Sequence, residues 1–249
     1  MMSVPPRYAM IACEILQREI CLCVARSPRV VDPRFLPKGL HDLGKAGMSA
    51  RLQSAIDALD ASRYEAILLG YGLCNNGIEG LRAPRPMVVP RAHDCITLLL
   101  GSKERYAAWF EAHPGTYFKS PGWAERSSNE AASEPGTIPS QLGLSWNESE
   151  LAAKYGAENA KYLMGQMAGW TQVYTTLAYI DTGVGDAATL QARTREEANR
   201  LGWTYTELPG SLDLLQRLVD GAWDPKDFLV VPPGRTIKPS LGDPIVMAV

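Results

Sequence analysis

Residues 66–77 read Ala-Ile-Leu-Leu-Gly-Tyr-Gly-Leu-Cys-Asn-Asn-Gly, a short apolar run followed by a segment rich in glycine and asparagine. The apolar run has the length and composition of a buried β-strand. The segment after it cannot continue the strand, so the pattern predicts a turn that carries Cys74 just past the carboxyl end. A thiol in such a turn does not follow a core-packing pattern, which makes Cys74 a candidate functional residue.

The same alternation of short apolar runs and longer amphipathic stretches extends in both directions from this segment. The predicted strands are residues 8–12, 66–70, 87–89, 116–118, 173–180, 204–208 and 228–231. The predicted helices are residues 48–59, 96–100, 106–110, 148–155, 157–168, 187–201 and 212–219. This order is typical of the α/β class, in which crossover helices join the strands of mainly parallel sheets. Residues 29–36 form a weaker strand, and Pro33 within it predicts a sheet edge or a loop.

Residues 120–146 are rich in Ser, Glu, Gly and Pro and poor in apolar side chains. A connection of this length is usually a functional lid or a flexible linker, and Trp123 and Trp146 near its ends could anchor it to the body of the protein. Two arrangements stay open at this stage: a single α/β domain over residues 1–249, or two similar lobes, residues 1–119 and 147–249, that share a cleft.

Composition excludes several classes of function. The 249 residues include 25 Lys and Arg against 27 Asp and Glu, a formal net charge of −2, so no global positive charge favours nucleic acid. No apolar run approaches the roughly 20 residues of a bilayer-spanning helix, so no membrane partner is expected. The first residues lack the pattern of a signal peptide, which predicts a cytoplasmic protein. In that compartment the five cysteines indicate core thiols, metal ligands or a nucleophile rather than disulfides.

Three of the cysteines share one topological position. Cys13, Cys74 and Cys95 each follow the carboxyl end of a predicted strand, and in an open parallel sheet those ends line the crevice where ligands bind. Helix amino termini near them would favour the thiolate, the form that binds metal or attacks a substrate. His93 lies two residues before Cys95 in an extended loop, so both side chains can point the same way. Sulfur and imidazole donors of this kind are ligands that Zn²⁺ accepts.

Two neighbours of this pair have candidate roles. Asp94 could orient the His93 imidazole, and Arg91 could hold an anionic group of a small-molecule substrate. A purely structural interpretation is also open, in which Cys13 and Cys95 are small buried side chains and His93 caps a helix. Cys21 and Cys23 lie in a helical pattern, which indicates core or helix-surface thiols.

The chain also resembles a known family. The segments that carry the resemblance are Ile11-Ala12-Cys13-Glu14, Gly39-Leu40-His41, residues 70–77, Pro90-Arg91-Ala92-His93-Asp94-Cys95-Ile96, Leu100-Gly101-Ser102, Pro114-Gly115-Thr116-Tyr117, Gly122-Trp123, Leu208-Pro209-Gly210, Gly221-Ala222-Trp223-Asp224 and residues 228–234. Together they are similar to the uncharacterised family of domain of unknown function 1638, over nearly the whole chain. The resemblance implies that Cys13, Cys74, His93 and Cys95 form one site. It also implies a link to corrinoid-dependent methyl transfer, and hence a corrinoid protein as a partner.

The first functional hypothesis is a zinc enzyme that transfers a methyl or thiol group on a small molecule. Cys74, His93 and Cys95 would hold the ion, and Cys13 would be a fourth ligand or a neighbouring catalytic thiolate. Tyr71 and Trp123 are expected beside the cofactor, with Trp123 and the segment after it closing over the substrate.

Three alternatives stay open. Three thiolates could instead hold a [4Fe–4S] cluster with one iron open to substrate, as in some lyases and dehydratases. The chain could also be a non-catalytic protein that binds and delivers a metal or a corrinoid. In a metal-free thiol enzyme, Cys74 would be the nucleophile and His93 its base.

Overall fold

A computed structural model describes residues 5–126, 174–240, 242 and 244–249, apart from the side chain of Asp42. The strands are β1 (Arg7–Cys13), β2 (Val30–Leu36), β3 (Ala66–Gly70), β4 (Met87–Pro90), β5 (Thr116–Lys119), β6 (Thr176–Asp181), β7 (Thr204–Pro209), β8 (Phe228–Val231), β9 (Ile237–Pro239) and β10 (Val246–Ala248). The helices are α1 (Gln17–Arg26), α2 (Gly44–Asp57), α3 (Cys95–Leu100), α4 (Lys103–Ala112), α5 (Pro121–Arg126), α6 (Ala187–Leu201) and α7 (Asp213–Asp220). Short 3-10 turns cover Glu14–Leu16, Lys38–Leu43 and Ala61–Arg63.

The large sheet has the strand order β2-β1-β3-β4-β8. Strands β2, β1, β3 and β4 run parallel, and β8 pairs with β4 in the antiparallel direction. Every residue of β3 and β4 is buried, as expected for central strands covered on both faces. β2 lies at the edge, where Pro33 removes no hydrogen bond from the sheet interior. The α/β class with mainly parallel sheets is therefore confirmed.

A small parallel sheet of β5, β6 and β7 follows the order β5-β6-β7. Its first strand precedes residues 120–146, whereas its other two strands follow them. β8, near the end of the chain, returns to the large sheet. The two sheets therefore do not correspond to the two halves, residues 1–119 and 147–249, that the sequence suggested as lobes.

The start of the predicted loop over residues 120–146 has a different structure from the expected one. Residues Pro121–Arg126 form α5, which begins with a proline, a residue well suited to the first helical position. Gly122 fits directly against the carbonyl oxygen of Ile15, where a side chain would clash. This contact fixes α5 against the turn that follows β1. Residues 127–146, Trp146 and the helices predicted over 148–155 and 157–168 lie outside the described residues.

The remaining predicted elements agree with the structure in type. β6 covers Thr176–Asp181, close to the predicted strand, and α6 has the predicted bounds. The antiparallel pair of β9 and β10 is an addition that the sequence did not suggest. Within the described residues, no helix combines the length and apolar character needed to cross a membrane.

Candidate functional site

Three buried thiols lie at the carboxyl ends of three neighbouring strands of the large sheet. Cys13 ends β1, Cys74 lies in the turn after β3, and Cys95 begins α3 shortly after β4. Their exposed fractions are 2%, 5% and 9%. The three groups influence one another electrostatically, because negative charge at Cys13 raises the pKa of both other thiols and Cys74 acts in the same way on Cys95. The three cysteines thus lie near one another at one edge of the large sheet.

Backbone hydrogen bonds join the two segments that carry Cys74 and Cys95. The N–H of Cys74 donates to the carbonyl oxygen of His93 at 2.8 Å, and the N–H of Leu73 donates to that of Ala92 at 2.8 Å. Gly72 allows this approach, since a Cβ there would lie 2.7 Å from the Asp94 nitrogen. The separation of these segments is therefore fixed by main chain rather than by side chains.

The turn after β3 has an unusual backbone. Cys74, Asn75 and Asn76 have φ angles of 47°, 55° and 64°, in the left-handed region. Asparagine adopts this region more readily than most residues, because its short side chain can bond locally, but cysteine does not share that advantage. The strained backbone at Cys74 turns the chain back at the sheet edge and keeps this thiol close to the other two.

Each of the three sulfurs also accepts a hydrogen bond. The N–H groups of Gly72 and Cys95 donate to the sulfur of Cys74, and the N–H of Ile15 donates to that of Cys13. The indole N–H of Trp123 donates to the sulfur of Cys95. Each of these bonds favours the thiolate and lowers the thiol pKa.

Burial nevertheless dominates the acidity of the thiols. It raises the pKa of Cys13 to about 11, and it raises the pKa values of Cys74 and Cys95 above the ordinary thiol range as well. The expectation that helix amino termini would make these cysteines acidic is therefore wrong for the metal-free protein. At neutral pH the thiols stay protonated unless a cation displaces their protons.

Tyr71 lies against the same group of sulfurs. Its side chain is 1% exposed, and its hydroxyl oxygen is buried without a hydrogen-bond partner among the described residues. Cys13 and Cys74 both contribute to raising the pKa of Tyr71, after burial itself, which places the phenol close to the two sulfurs. An unpaired buried hydroxyl is unfavourable, so this phenol is a group that a bound ligand could satisfy.

A cavity of about 660 Å³ opens beside the thiols. Cys74 and Cys95 form part of its wall. The other described lining residues come from the turn after β3, from the segment between β4 and α3 and the start of α3, from α4, α5 and β5, and from His41, Gly115 and Tyr174. Much of the remaining wall is aromatic, contributed by Tyr106, Phe110, Tyr117, Phe118, Trp123 and Tyr174. This volume is in the range of sites for small molecules.

Asp94 and Trp123 line the cavity together with Cys95. Oδ1 of Asp94 accepts from the N–H groups of Ile96 and Thr97 at 3.0 and 3.3 Å, so Asp94 caps α3. Oδ2 accepts from the Tyr106 hydroxyl at 3.1 Å. The ammonium of Lys38, a buried lysine, lies 5.0 Å from the centre of the Trp123 ring. Asp94 thus has a positioning role in α3, in addition to any contact with a ligand.

His93 and Arg91 differ from the sequence hypothesis in their surroundings. The side chain of His93 is exposed and borders the cavity. Arg91 donates to the carbonyl oxygens of Pro225, Pro244 and Val246, so its guanidinium holds the carboxyl-terminal segment. That position does not support a role in binding an anionic substrate group. Among the described residues, no three His, Cys, Asp or Glu side chains already have the spacing of a metal site.

Several residues of the site were not predicted from the sequence. Tyr106, Phe110 and Phe118 have apolar spacing that is equally typical of core packing, and Lys38 precedes a glycine in a segment with no distinctive motif. Cys21 is exposed and Cys23 is buried in α1, as the helical pattern indicated. Their positions on α1 separate them from the three thiols at the strand ends.

Comparison with known proteins gives a family but no activity. No curated protein matches the chain, and no solved structure matches it. The sequence pattern of the family described as a protein of unknown function, DUF1638, matches residues 35–219. This match covers the thiols of Cys74 and Cys95 and most of the cavity wall. The chain therefore belongs to the DUF1638 family.

Proposed function

We propose that the chain is a metal-dependent enzyme in which Cys13, Cys74 and Cys95 hold the metal as thiolates. The support is the convergence of three buried thiols from three adjacent strand ends, two of which, Cys74 and Cys95, line the cavity. Sulfur donors select thiophilic ions, and Zn²⁺ in particular accepts thiolates in tetrahedral sites. Zinc is therefore our first choice of metal, with one coordination position left for a substrate or for His93.

The surroundings of the sulfurs support this assignment. The N–H groups that point at Cys13, Cys74 and Cys95 stabilise negative sulfur, the form that a metal ligand must have. The unpaired hydroxyl of Tyr71 lies where it can donate to a metal-bound sulfur or to a group bound at the open position. We propose that metal binding satisfies this hydroxyl, and that small χ1 rotations of the cysteines complete the site.

The proposed reaction is the transfer of a methyl or thiol group on a small molecule. Zinc held by these thiolates would lower the pKa of a substrate thiol, whose proton would pass to water. The resulting thiolate sulfur forms a bond to the carbon of a methyl donor, and the leaving group departs with the electron pair of the broken bond. The aromatic wall excludes water from this step. A corrinoid protein as partner stays a prediction that comes from the family resemblance.

A second candidate is a [4Fe–4S] enzyme of the lyase or dehydratase type. The observation in its favour is that the converging donors are all sulfur, whereas the imidazole of His93 is exposed at the rim of the cavity. Three thiolates leave one iron of such a cluster without a protein ligand, and that iron could bind substrate.

Anaerobic purification with metal quantification and a visible spectrum tests both candidates. We expect about one zinc ion per chain in the unmodified protein and a large loss of zinc in Cys74→Ser and Cys95→Ser. Cys21→Ser removes an exposed thiol of α1 and serves as the matched control, which should keep its zinc.

The other outcomes are equally informative. Iron with sulfide and absorbance near about 400 nm would support the cluster instead. Protein that folds normally, contains no metal and binds neither added zinc nor iron with sulfide would contradict both candidates. A thermal unfolding curve for each variant separates loss of the ligand from loss of the fold.

A further inference from the structure

The aromatic part of the cavity wall forms a continuous cluster rather than scattered rings. The ring centre of Tyr106 lies 6.1 Å from that of Phe110 and 5.8 Å from that of Phe118, both in edge-to-face orientation. Phe110 is 53% exposed, an unusual position for a phenylalanine in a folded protein. Phe110 lines the cavity together with the other two rings.

Among the described residues that line the cavity, the ionisable side chains other than thiols and phenols are Asp94, His41 and His93. Asp94 is the only carboxylate in this described part of the wall, and there is neither Lys nor Arg. The Tyr106 hydroxyl donates to the Asp94 carboxylate at 3.1 Å, so the negative charge lies directly beside the ring cluster. The three hydrogen bonds that Asp94 accepts hold its carboxyl group in place beside the rings. The cavity is thus suited to a cation that has little hydration.

We propose that this cavity binds a methylated onium cation, in which a positively charged nitrogen or sulfur carries methyl groups. The cation would contact the rings of Tyr106, Phe110 and Phe118, with the Asp94 carboxylate as its counter-charge. Aromatic faces and a nearby carboxylate are the groups by which proteins recognise quaternary ammonium ligands. An ordinary ammonium ion would lose several hydrogen bonds to water in such an apolar site, whereas a quaternary ammonium or a trisubstituted sulfonium ion has none to lose.

This inference rests on the proposed function, for which it names the methyl donor. The cavity wall also contains Cys74 and Cys95, so a cation on the aromatic cluster would share the cavity with these two thiols. In the transfer, the carbon–nitrogen or carbon–sulfur bond of the onium breaks and a new carbon–sulfur bond to the acceptor thiolate forms. The electron pair of the broken bond stays with the leaving group, which departs as a neutral amine or sulfide.

A neighbouring cavity provides room for the rest of such a substrate. It has a volume of about 630 Å³ and shares His93, Tyr106 and Phe110 with the first cavity. Lys103 and Glu104 border it, whereas most of its described wall is apolar. A larger substituent on the onium group can therefore extend past Phe110 without leaving the protein surface.

Calorimetric titration with a matched pair of probes tests the requirement for positive charge. Choline and 3,3-dimethylbutan-1-ol have nearly the same shape, but only choline carries the charge. We expect choline to bind about tenfold more tightly than the neutral alcohol, which is within the range of cation–π recognition. Tetramethylammonium and trimethylsulfonium, titrated in parallel, identify which heteroatom the site prefers. Equal affinity for choline and the alcohol, or no binding of any onium probe, would overturn the proposal.

Three variants locate the binding site. Phe110→Leu should weaken choline binding several-fold, because it removes an exposed ring and leaves a side chain of similar polarity. Asp94→Asn keeps an amide oxygen to cap α3 and should reduce the preference for choline over the neutral alcohol. Tyr205→Leu removes a ring of β7 that lies outside the described cavity wall, and its choline affinity should equal that of the unmodified protein. Loss of choline binding in Tyr205→Leu, with binding unchanged in Phe110→Leu and Asp94→Asn, would contradict the site assignment.

The metal measurement separates this inference from the proposed function. Choline titrations on the same preparation used for metal quantification give two independent results. Zinc without a preference for choline would overturn the onium site only. Choline binding that survives in Cys74→Ser, in protein that never contains metal, would support the onium site while the proposed metal centre fails.

Discussion

Gly72 is the residue on which the closeness of the candidate ligands depends. Its hydrogen points into a contact between main-chain segments, and a methyl group there would lie 2.7 Å from the Asp94 nitrogen and 2.9 Å from the Ala92 carbonyl oxygen. Neither of those atoms belongs to a flexible side chain that could move aside. The two segments would have to separate, and Cys74 would move away from Cys95.

Gly72→Ala should therefore lower both stability and metal content. Overpacking of this kind reduces the free energy of unfolding by about 1–3 kcal/mol. Urea unfolding and zinc quantification measure the two effects. Gly183→Ala provides the comparison, because that glycine has a φ of 72° but nothing within 4 Å of the place where a methyl group would lie. It should lose stability through backbone strain and keep its zinc; equal zinc content in both variants would contradict this role for Gly72.

The turn between β3 and β4 carries Cys74 and depends on residues in the left-handed backbone region. Asn75 is exposed in this turn and has a φ of 55°. Asn75→Gly should preserve stability, since glycine adopts the left-handed region without strain. Asn75→Ala should reduce the free energy of unfolding by about 1 kcal/mol, because a Cβ without a compensating polar group disfavours that region. Chemical denaturation of the two variants checks the difference, and equal stabilities would show that the turn relaxes.

The elements that the sequence predicts well are those with a strong pattern of their own. The apolar runs of β1, β3 and β4 and the amphipathic α6 have the predicted type and nearly the predicted bounds. α5 was missed because its six residues include Gly122, whose place in a helix depends on the distant carbonyl of Ile15. The antiparallel direction of β8 was missed for a similar reason, since an apolar run carries no signal of strand direction.

Part of the candidate site could be predicted from the sequence, and part of it could not. Cys13, Cys74 and Cys95 converge because parallel strands place their carboxyl ends at one edge, a rule that needs only the strand positions. The surroundings of His93 and Arg91 depend on partners far away in sequence. Arg91, for example, bonds to carbonyls of residues 225, 244 and 246, which no local pattern could indicate.

At the scale of the whole molecule, a buried carboxyl group joins the two sheets. Glu19 lies in α1, beside the large sheet, and Thr182 directly follows β6 of the small parallel sheet. The Thr182 hydroxyl donates to Oε1 of Glu19 at 2.8 Å, and Oε2 is buried without a hydrogen-bond partner among the described residues. Burial raises the pKa of Glu19, so the folded state favours the protonated acid.

Glu19→Gln should therefore be more stable than the unmodified protein at neutral pH. The favourable contribution of protonated Glu19 is present below its pKa in the unfolded chain and is lost as pH rises through its higher folded pKa. The stability difference should be largest at neutral pH and shrink as pH falls through that interval. Unfolding curves at several pH values measure it, with the exposed Glu65→Gln as control. A difference that is independent of pH would contradict the assignment.

The antiparallel contact between β4 and β8 has a consequence for biosynthesis. β4 carries the strand end that leads to Cys95, and among the described residues its outer edge is paired only with residues 228–231. A nascent chain leaving the ribosome therefore holds β4 with bare amide and carbonyl groups until translation is almost complete. Exposed strand edges promote aggregation, so premature termination before β8 should yield insoluble polypeptide even though every candidate metal ligand has already been made.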